Sequence, residues 1–183
     1  MRLDVLICTL ESRSALLARL RSELTAQRTK YGLPVGIVTS CDRGLAAIGA
    51  KRQLLLEKSR ADYVVFVDDD DRIAPDYLSR IIEALKENPD CIGIQGVMTT
   101  DGKSPHLFEH SIRHPHWHTR NGVHYRTPNH LNPVRRTLAI QTGFQPLRVA
   151  EDRDYSERLR PLLKTEVFLS GPIYFYDYRR VKG

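Results

Sequence analysis

Over its first hundred residues the chain alternates short apolar runs with segments whose apolar positions recur every three or four residues, the pattern of strands followed by amphipathic helices. Leu3-Asp4-Val5-Leu6-Ile7-Cys8-Thr9 reads as a buried strand. The segment after it, with Ser12 as its cap, sets Leu16, Leu17, Leu20 and Leu24 on one helical face. Gly32 and Pro34 break the chain before a second strand at residues 35–39, with Asp42 expected in the loop just beyond. A helix is expected over about residues 49–59, carrying Leu54, Leu55 and Lys58. The third strand, residues 63–67, runs straight into four aspartates, Asp68-Asp69-Asp70-Asp71. Pro75 then begins a helix whose Leu78, Ile81, Ile82 and Leu85 keep helical spacing until Asn88-Pro89 stops it. Residues 91–98 form a fourth apolar run. This alternation predicts an α/β fold with a mostly parallel sheet, helices on both faces, and ligands at the carboxyl ends of the strands.

Beyond Asp101-Gly102 the periodicity fades, and all seven histidines fall between His106 and His130. A second, loop-rich half is expected here. Asn132-Pro133 caps a helix that runs to about Gln141 and stops at Gly143, a shorter helix covers residues 151–159, and two closing strands flank Gly171-Pro172.

A length of 183 residues suits one domain, read here as a first half (1–100) and a second half (101–183). Hydrophobic residues at 41% and charged residues at 27% are ordinary for a globular protein and argue against disorder. No run is long and apolar enough to span a membrane, and Asp4, Glu11 and Arg13 break any signal-like start, so a cytoplasmic protein is expected. Cys8, Cys41 and Cys91 are odd in number and far apart, which disfavours a disulfide framework. The formal charge of +6 implies attraction to anions.

The aspartates hold the densest chemistry. Like charges ~6 Å apart repel by roughly 3 kcal/mol at an effective dielectric of about 20, so such a turn calls for a neutralising cation. Strand alternation would send Asp68 and Asp70 to one side and Asp69 and Asp71 to the other. A jointly presented Asp68/Asp70 pair suits Mn²⁺ or Mg²⁺ and leaves coordination places for phosphate oxygens. The competing reading is an acidic turn, with Asp71 capping the next helix.

Four stations along the chain resemble inverting glycosyltransferases of family 2, which carry the GT-A nucleotide-diphospho-sugar transferase fold. They are the run Leu6-Ile7-Cys8-Thr9-Leu10-Glu11-Ser12-Arg13, then Asp42, then Lys51-Arg52-Gln53 spaced from residues 63–71 and Pro75, and finally Glu151-Asp152 opening a helix. The resemblance implies a Rossmann-like nucleotide-sugar-binding half followed by an acceptor-binding half. It implies donor contacts from Thr9, Glu11, Arg13, Asp42, Lys51, Arg52, Asp68 and Asp69, metal ligation by Asp68 and Asp70, and Asp152 as catalytic base. The implied partners are a nucleotide-diphospho-sugar, with a UDP-sugar expected, and a hydroxyl acceptor. Family members often place a further metal-binding histidine late in the domain, yet none follows His130 here, so either the metal lacks that ligand or His118, His124 or His130 replaces it. The motif of processive synthases is absent, which favours transfer of a single sugar.

The spacing of His114, His116 and His118, or of His106, His110 and His114, would permit zinc but lacks the usual partners, and an acceptor surface with Trp117 or Tyr125 stacking on a ligand is the expected use of this segment. A different class, nucleic-acid binding, is suggested by the positive charge, by Arg135-Arg136 and Arg179-Arg180, and by Trp117, Tyr125 and Tyr176. The two readings meet in a transferase acting on modified DNA bases.

Overall fold

A computed structural model describes residues 1–179, and Arg180 of the Arg179-Arg180 pair lies outside them. The chain begins as the pattern predicts, with strand β1 (Leu3–Leu10), helix α1 (Ser14–Tyr31), strand β2 (Val35–Asp42), helix α2 (Ile48–Lys58) and strand β3 (Tyr63–Phe66). There follow β4 (Arg72–Ile73), α3 (Tyr77–Leu85), β5 (Cys91–Thr100), β6 (Lys103–His110), β7 (His118–Arg120), β8 (Val123–Arg126), β9 (Val134–Arg135), α4 (Arg136–Thr142), α5 (Glu151–Leu159) and β10 (Glu166–Tyr178).

The strands form one ten-stranded sheet with the path β2-β1-β3-β9-β5-β6-β8-β7, and β10 pairs with β5 and β4 beside it. β2, β1 and β3 are parallel, as are β5 and β10, while the short β9 joins the two groups antiparallel to both β3 and β5. Strand parity divides the core into two layers. Leu3, Val5 and Ile7 of β1 and Tyr63 and Val65 of β3 pack on the side of α1 and α3. Leu6, Cys8, Val64 and Phe66 pack on the other side, with Leu55 and Leu56 of α2 and Tyr155 and Leu159 of α5. The carboxyl ends of β1 and β3 therefore open between helices drawn from both faces.

Several local expectations are corrected. Ser12 caps nothing: residues 11–13 form a 3-10 turn, and α1 starts without a side-chain cap. Asp42 is the last residue of β2, not a loop residue. Pro75 precedes α3, which starts two residues later at Tyr77. Asn132-Pro133 leads into β9, and the helix begins only at Arg136. Asn132 instead donates to the Ile92 carbonyl and accepts from the Asn129 amide. The two closing strands are one strand, β10, whose register against β5 shifts between Leu169 and Tyr174, so the turn-like Gly171-Pro172 is an irregularity inside a strand. The loop-rich segment contains β6, β7 and β8. These strands lie at the outer end of the sheet, where β7 is wholly exposed, so no alternation of apolar and polar residues marks them.

One glycine governs how the second half meets the first. A Cβ on Gly49 in α2 would lie 1.9 Å from the carbonyl oxygen of Gln145, and its amide donates to Leu147. The loop from 143 to 150 therefore rests directly on α2. Gln53 of the same helix accepts from the Phe144 amide, and Arg158 of α5 donates to the carbonyls of Thr142 and Gly143 at the end of α4. These contacts deliver the amino end of α5 to the mouth of the cleft.

Candidate functional site

Parity along β3 carries past its last residue and sorts the first two aspartates. Asp68 continues the face of Val64 and Phe66 and meets α2, where Arg52 Nη2 donates to its Oδ1 at 3.1 Å. Asp69 continues the face of Val65 and meets β1 and α1. It accepts from Thr9 Oγ1 at 2.6 Å and from Arg13 Nη1 at 2.7 Å, so both of its carboxylate oxygens are spoken for in a buried position. The chain then turns, with the Asp71 amide donating to the Asp68 carbonyl. Asp70 stands at the rim, 43% exposed, with Arg13 Nη2 at 3.1 Å from Oδ2. Asp71 points inward and accepts from Tyr174 Oη at 2.6 Å, so it is not the cap of α3. Tyr174 Oη also accepts from the Asp68 amide.

The protein therefore supplies its own cations to the tetrad. Burial works to raise the Asp68 carboxyl, but Arg52 and His130 more than offset it and hold the group below the usual carboxylate range. Burial, reinforced by the charge of Asp68, pushes Asp71 up to about 8, so this member is largely protonated at neutral pH. For Arg52, burial opposes the charge, but Asp68 and Glu151 overcome that and keep the guanidinium firmly protonated.

Arg52 is the junction of the site. It is only 4% exposed, and while Nη2 binds Asp68, its Nε donates to Glu151 Oε1 at 3.3 Å. One side chain thus ties the end of β3 to the start of α5, with Arg52 and Glu151 99 residues apart in the chain. Its Nη1 is buried without a partner, a donor left over inside the cleft. Asp152, the next residue, is half-buried, and its Oδ1 accepts from the Arg153 amide.

The remaining expected residues gather at the ends of β1 and β2. Lys51 Nζ donates to the Thr9 carbonyl and to Asp42 Oδ1 at 2.6 Å, joining the two strand ends. That hydrogen bond pulls Asp42 down to about 2. A cavity of about 250 Å³ opens here, lined by Cys8, Thr9, Leu10, Arg13, Ala46, Ile48 and Lys51. Glu11 stands apart, exposed and paired with Arg43. Thr9, Arg13, Asp42, Lys51, Arg52 and Asp68 to Asp70 are thus brought to one edge of the sheet, with Glu151-Asp152 reaching it from the second half.

The structure also adds residues that the sequence did not single out. Arg19 donates to the carbonyls of Asp69 and Asp71, fixing the turn, and Tyr174 bridges Asp68 and Asp71. Neither carries a sequence signal, since one is an arginine in a polar helix and the other an aromatic in an apolar strand. Glu151 was visible only as half of an acidic pair, whereas its buried partner Arg52 gives it a separate, structural task.

The donor set fits a hard divalent ion. Asp68 and Asp70 are the two partly exposed carboxylates of the tetrad, and His130 Nε2 lies 3.4 Å from Asp68 Oδ2 while its buried Nδ1 has no partner. Among the described residues no three His, Cys, Asp or Glu side chains come together as a ready-made cage. An ion held here would complete its shell from phosphate and water oxygens, as Mg²⁺ and Mn²⁺ commonly do. His118 and His124 lie elsewhere: His118 stacks on Tyr125, and His124 contacts Thr119 and His106. The histidine segment forms no zinc site among the described residues. Of the arginines suggesting nucleic acid, Arg135 is engaged with Asn88, Pro89 and Asp90.

A family model described as glycosyl transferase family 2 matches residues 15–147. No curated protein matches the chain. Among solved structures, S. aureus TarS 1-349 in complex with UDP-GlcNAc superposes with a TM-score of 0.66 at 17% identity, covering 100% of this chain and 60% of that one. The UDP complex of the same protein gives 0.67 at 16%, over 97% and 60%. The catalytic domain of Drosophila beta1,4galactosyltransferase 7, in complex with xylobiose, gives 0.60 at 16%, over 95% and 70%. At such identities the likeness is one of fold, here GT-A, and the chain spans about 60% of the TarS structures.

Proposed function

The chain belongs to glycosyl transferase family 2, and from that premise we propose that it moves one sugar from a nucleotide-diphospho-sugar to an acceptor hydroxyl, inverting the anomeric carbon. The observation that carries this reading is the Arg52 tie, which holds the aspartate turn and the Glu151-Asp152 pair at one cleft. The 250 Å³ cavity beside Thr9, Arg13 and Lys51 takes the nucleotide, and the UDP-GlcNAc and UDP complexes of TarS support a UDP-sugar as donor.

Asp68 and Asp70, with His130 beside them, would hold Mn²⁺ or Mg²⁺, which when bound stabilises negative charge on the leaving diphosphate. Arg13 and the spare Nη1 of Arg52 add fixed positive charge on the same side. Asp152 is the general base: as the acceptor oxygen bonds to the anomeric carbon, its proton passes to the carboxylate. The bond from that carbon to the diphosphate oxygen breaks, and its electron pair leaves with the diphosphate. One displacement from the face opposite the leaving group inverts the centre. Glu151, engaged with Arg52, positions Asp152 rather than sharing its role.

Calorimetry with a panel of UDP-, GDP-, CMP- and TDP-sugars, with and without Mn²⁺, tests this reading. Asp70→Ala is expected to lose metal-dependent donor binding, whereas Asp152→Asn keeps donor binding and loses transfer. Equal loss of both properties in both variants would contradict the assignment.

A further inference from the structure

The charge of the chain is unevenly divided. Residues 1–100 hold 14 Lys or Arg against 14 Asp or Glu, and residues 101–183 hold 14 against 8, so the whole surplus of six positive charges, with all seven histidines, belongs to the second half. Part of that surplus surrounds a second cavity, of about 480 Å³, between the segment at 115–117 and the outer face of α5. Its walls are Pro115, His116, Trp117, Thr127, Arg153, Glu157, Arg160 and Pro161.

Trp117 gives the cavity a fixed aromatic wall. Its indole N–H donates to Thr127 Oγ1 at 2.9 Å, and the Arg126 guanidinium lies 4.6 Å from the ring centre. Thr127 is itself locked to Ser156 of α5. Glu157 is paired with Arg153 at 2.9 Å. Arg160 has no such partner: among the described residues its guanidinium makes no hydrogen bond or ion pair, and its Nε is buried and unsatisfied. Arg153, Arg160 and Glu157 leave the lining one positive charge in excess, next to a ring suited to stack on a sugar.

We propose that this cavity is a subsite for an acidic saccharide, a sugar bearing a phosphate or carboxylate, and that the acceptor carries such a group beyond the hydroxyl that reacts. The assignment to the acceptor rests on the transferase reading above, because α5 opens with Glu151-Asp152 and continues into this wall. Trp117 stacks on the sugar, and Arg160 receives the oxyanion.

Trp117 is the single tryptophan of the chain, so its fluorescence reports on the cavity without donor, metal or transfer. The full chain is titrated with glucose 6-phosphate, glucuronate, glucose and a DNA trinucleotide. The expected result is a saturable change with at least one of the two charged sugars, at a concentration at least tenfold below any effect of glucose. Arg160→Gln and the exposed Arg153→Gln should each weaken that binding fivefold or more while leaving UDP binding with Mn²⁺ intact. Whichever charged sugar binds more tightly names the oxyanion. The proposal is overturned if glucose matches the charged sugars, if neither charged sugar binds, if both variants bind like the parent, or if the trinucleotide saturates where the sugars do not. Failure of UDP to bind with Mn²⁺ would overturn the transferase reading while leaving the tryptophan titration interpretable.

Discussion

The two halves of this molecule handle charge in opposite ways. In the first, acids and bases are equal in number, and the buried ones are wired to one another: Lys51 to Asp42, Thr9 and Arg13 to Asp69, Arg52 to Asp68. In the second half the excess is positive and much of it faces outward, as at Arg113, Arg120 and Arg153. Buried polar groups need fixed partners, so a half organised this way offers a prearranged site. Charge left on a surface chooses partners by sign and does little for the fold. Arg52 crosses between the two regimes by pairing with Glu151, and Arg135 crosses the other way by pairing with Asp90.

Four perturbations sharpen or break that contrast. The largest effect is expected from Asp152→Asn, which removes the proposed base in the second half. Transfer should fall about 10²–10⁴-fold in kcat, while UDP binding, which the proposal assigns to the first half, stays within twofold by calorimetry. Next comes Arg52→Leu, which strands Asp68 and Glu151 in partly buried places. Breaking such a pair costs about 3–5 kcal/mol, or roughly 10 °C in Tm for a chain of this size, and an unchanged Tm would mean the halves are held together by other means. Gly49→Ala pushes a methyl group against the Gln145 carbonyl. It should destabilise by about 1–3 kcal/mol in denaturant titrations and lower transfer more than donor binding, because the displaced loop leads to Asp152.

The smallest effect concerns a histidine that the second half keeps inside. Burial, with Arg126 nearby, pushes His110 down to about 3, and its Nδ1 donates to Asn132. The folded state holds it neutral, while the unfolded chain takes up a proton below about 6.5, so stability is intact above that pH and is lost as pH falls toward 3. At pH 5.5 the loss is about 1.4 kcal/mol, one pH unit below the ordinary value. A His110→Gln variant should lack this share of the acid sensitivity in urea titrations compared between pH 7.5 and 5.5.

The same division explains what the sequence made readable. The first half writes its strands as apolar runs because both faces of β1 and β3 are covered, so residues 3–9 and 63–67 stood out at once. Asp68 and Asp70 were legible as candidates because they follow such a run directly, whereas Lys51 and Arg52, inside a helix, were singled out by the resemblance to family 2. Strands β6 to β8 left no periodic trace, since β7 is wholly exposed, β8 is half-buried throughout and β6 buries only Phe108 and His110. Partners were the least legible of all. The repulsion within the tetrad called for a neutralising cation, and the structure shows that Arg13 and Arg52 stand beside it, while nothing short of tertiary structure puts Tyr174 on Asp71.

Arg52 has one more consequence, for how the molecule opens. Lifting α5 away from the sheet would leave a buried guanidinium with Asp68 as its remaining acidic partner and two idle donors, Nε and Nη1. Partial unfolding follows the cheapest boundary through a structure, which here lies along the β7–β8 hairpin at the outer end of the sheet. Slow amide exchange is therefore expected to run unbroken from β3 into the first turn of α5, making one cooperative unit of segments that the chain places far apart.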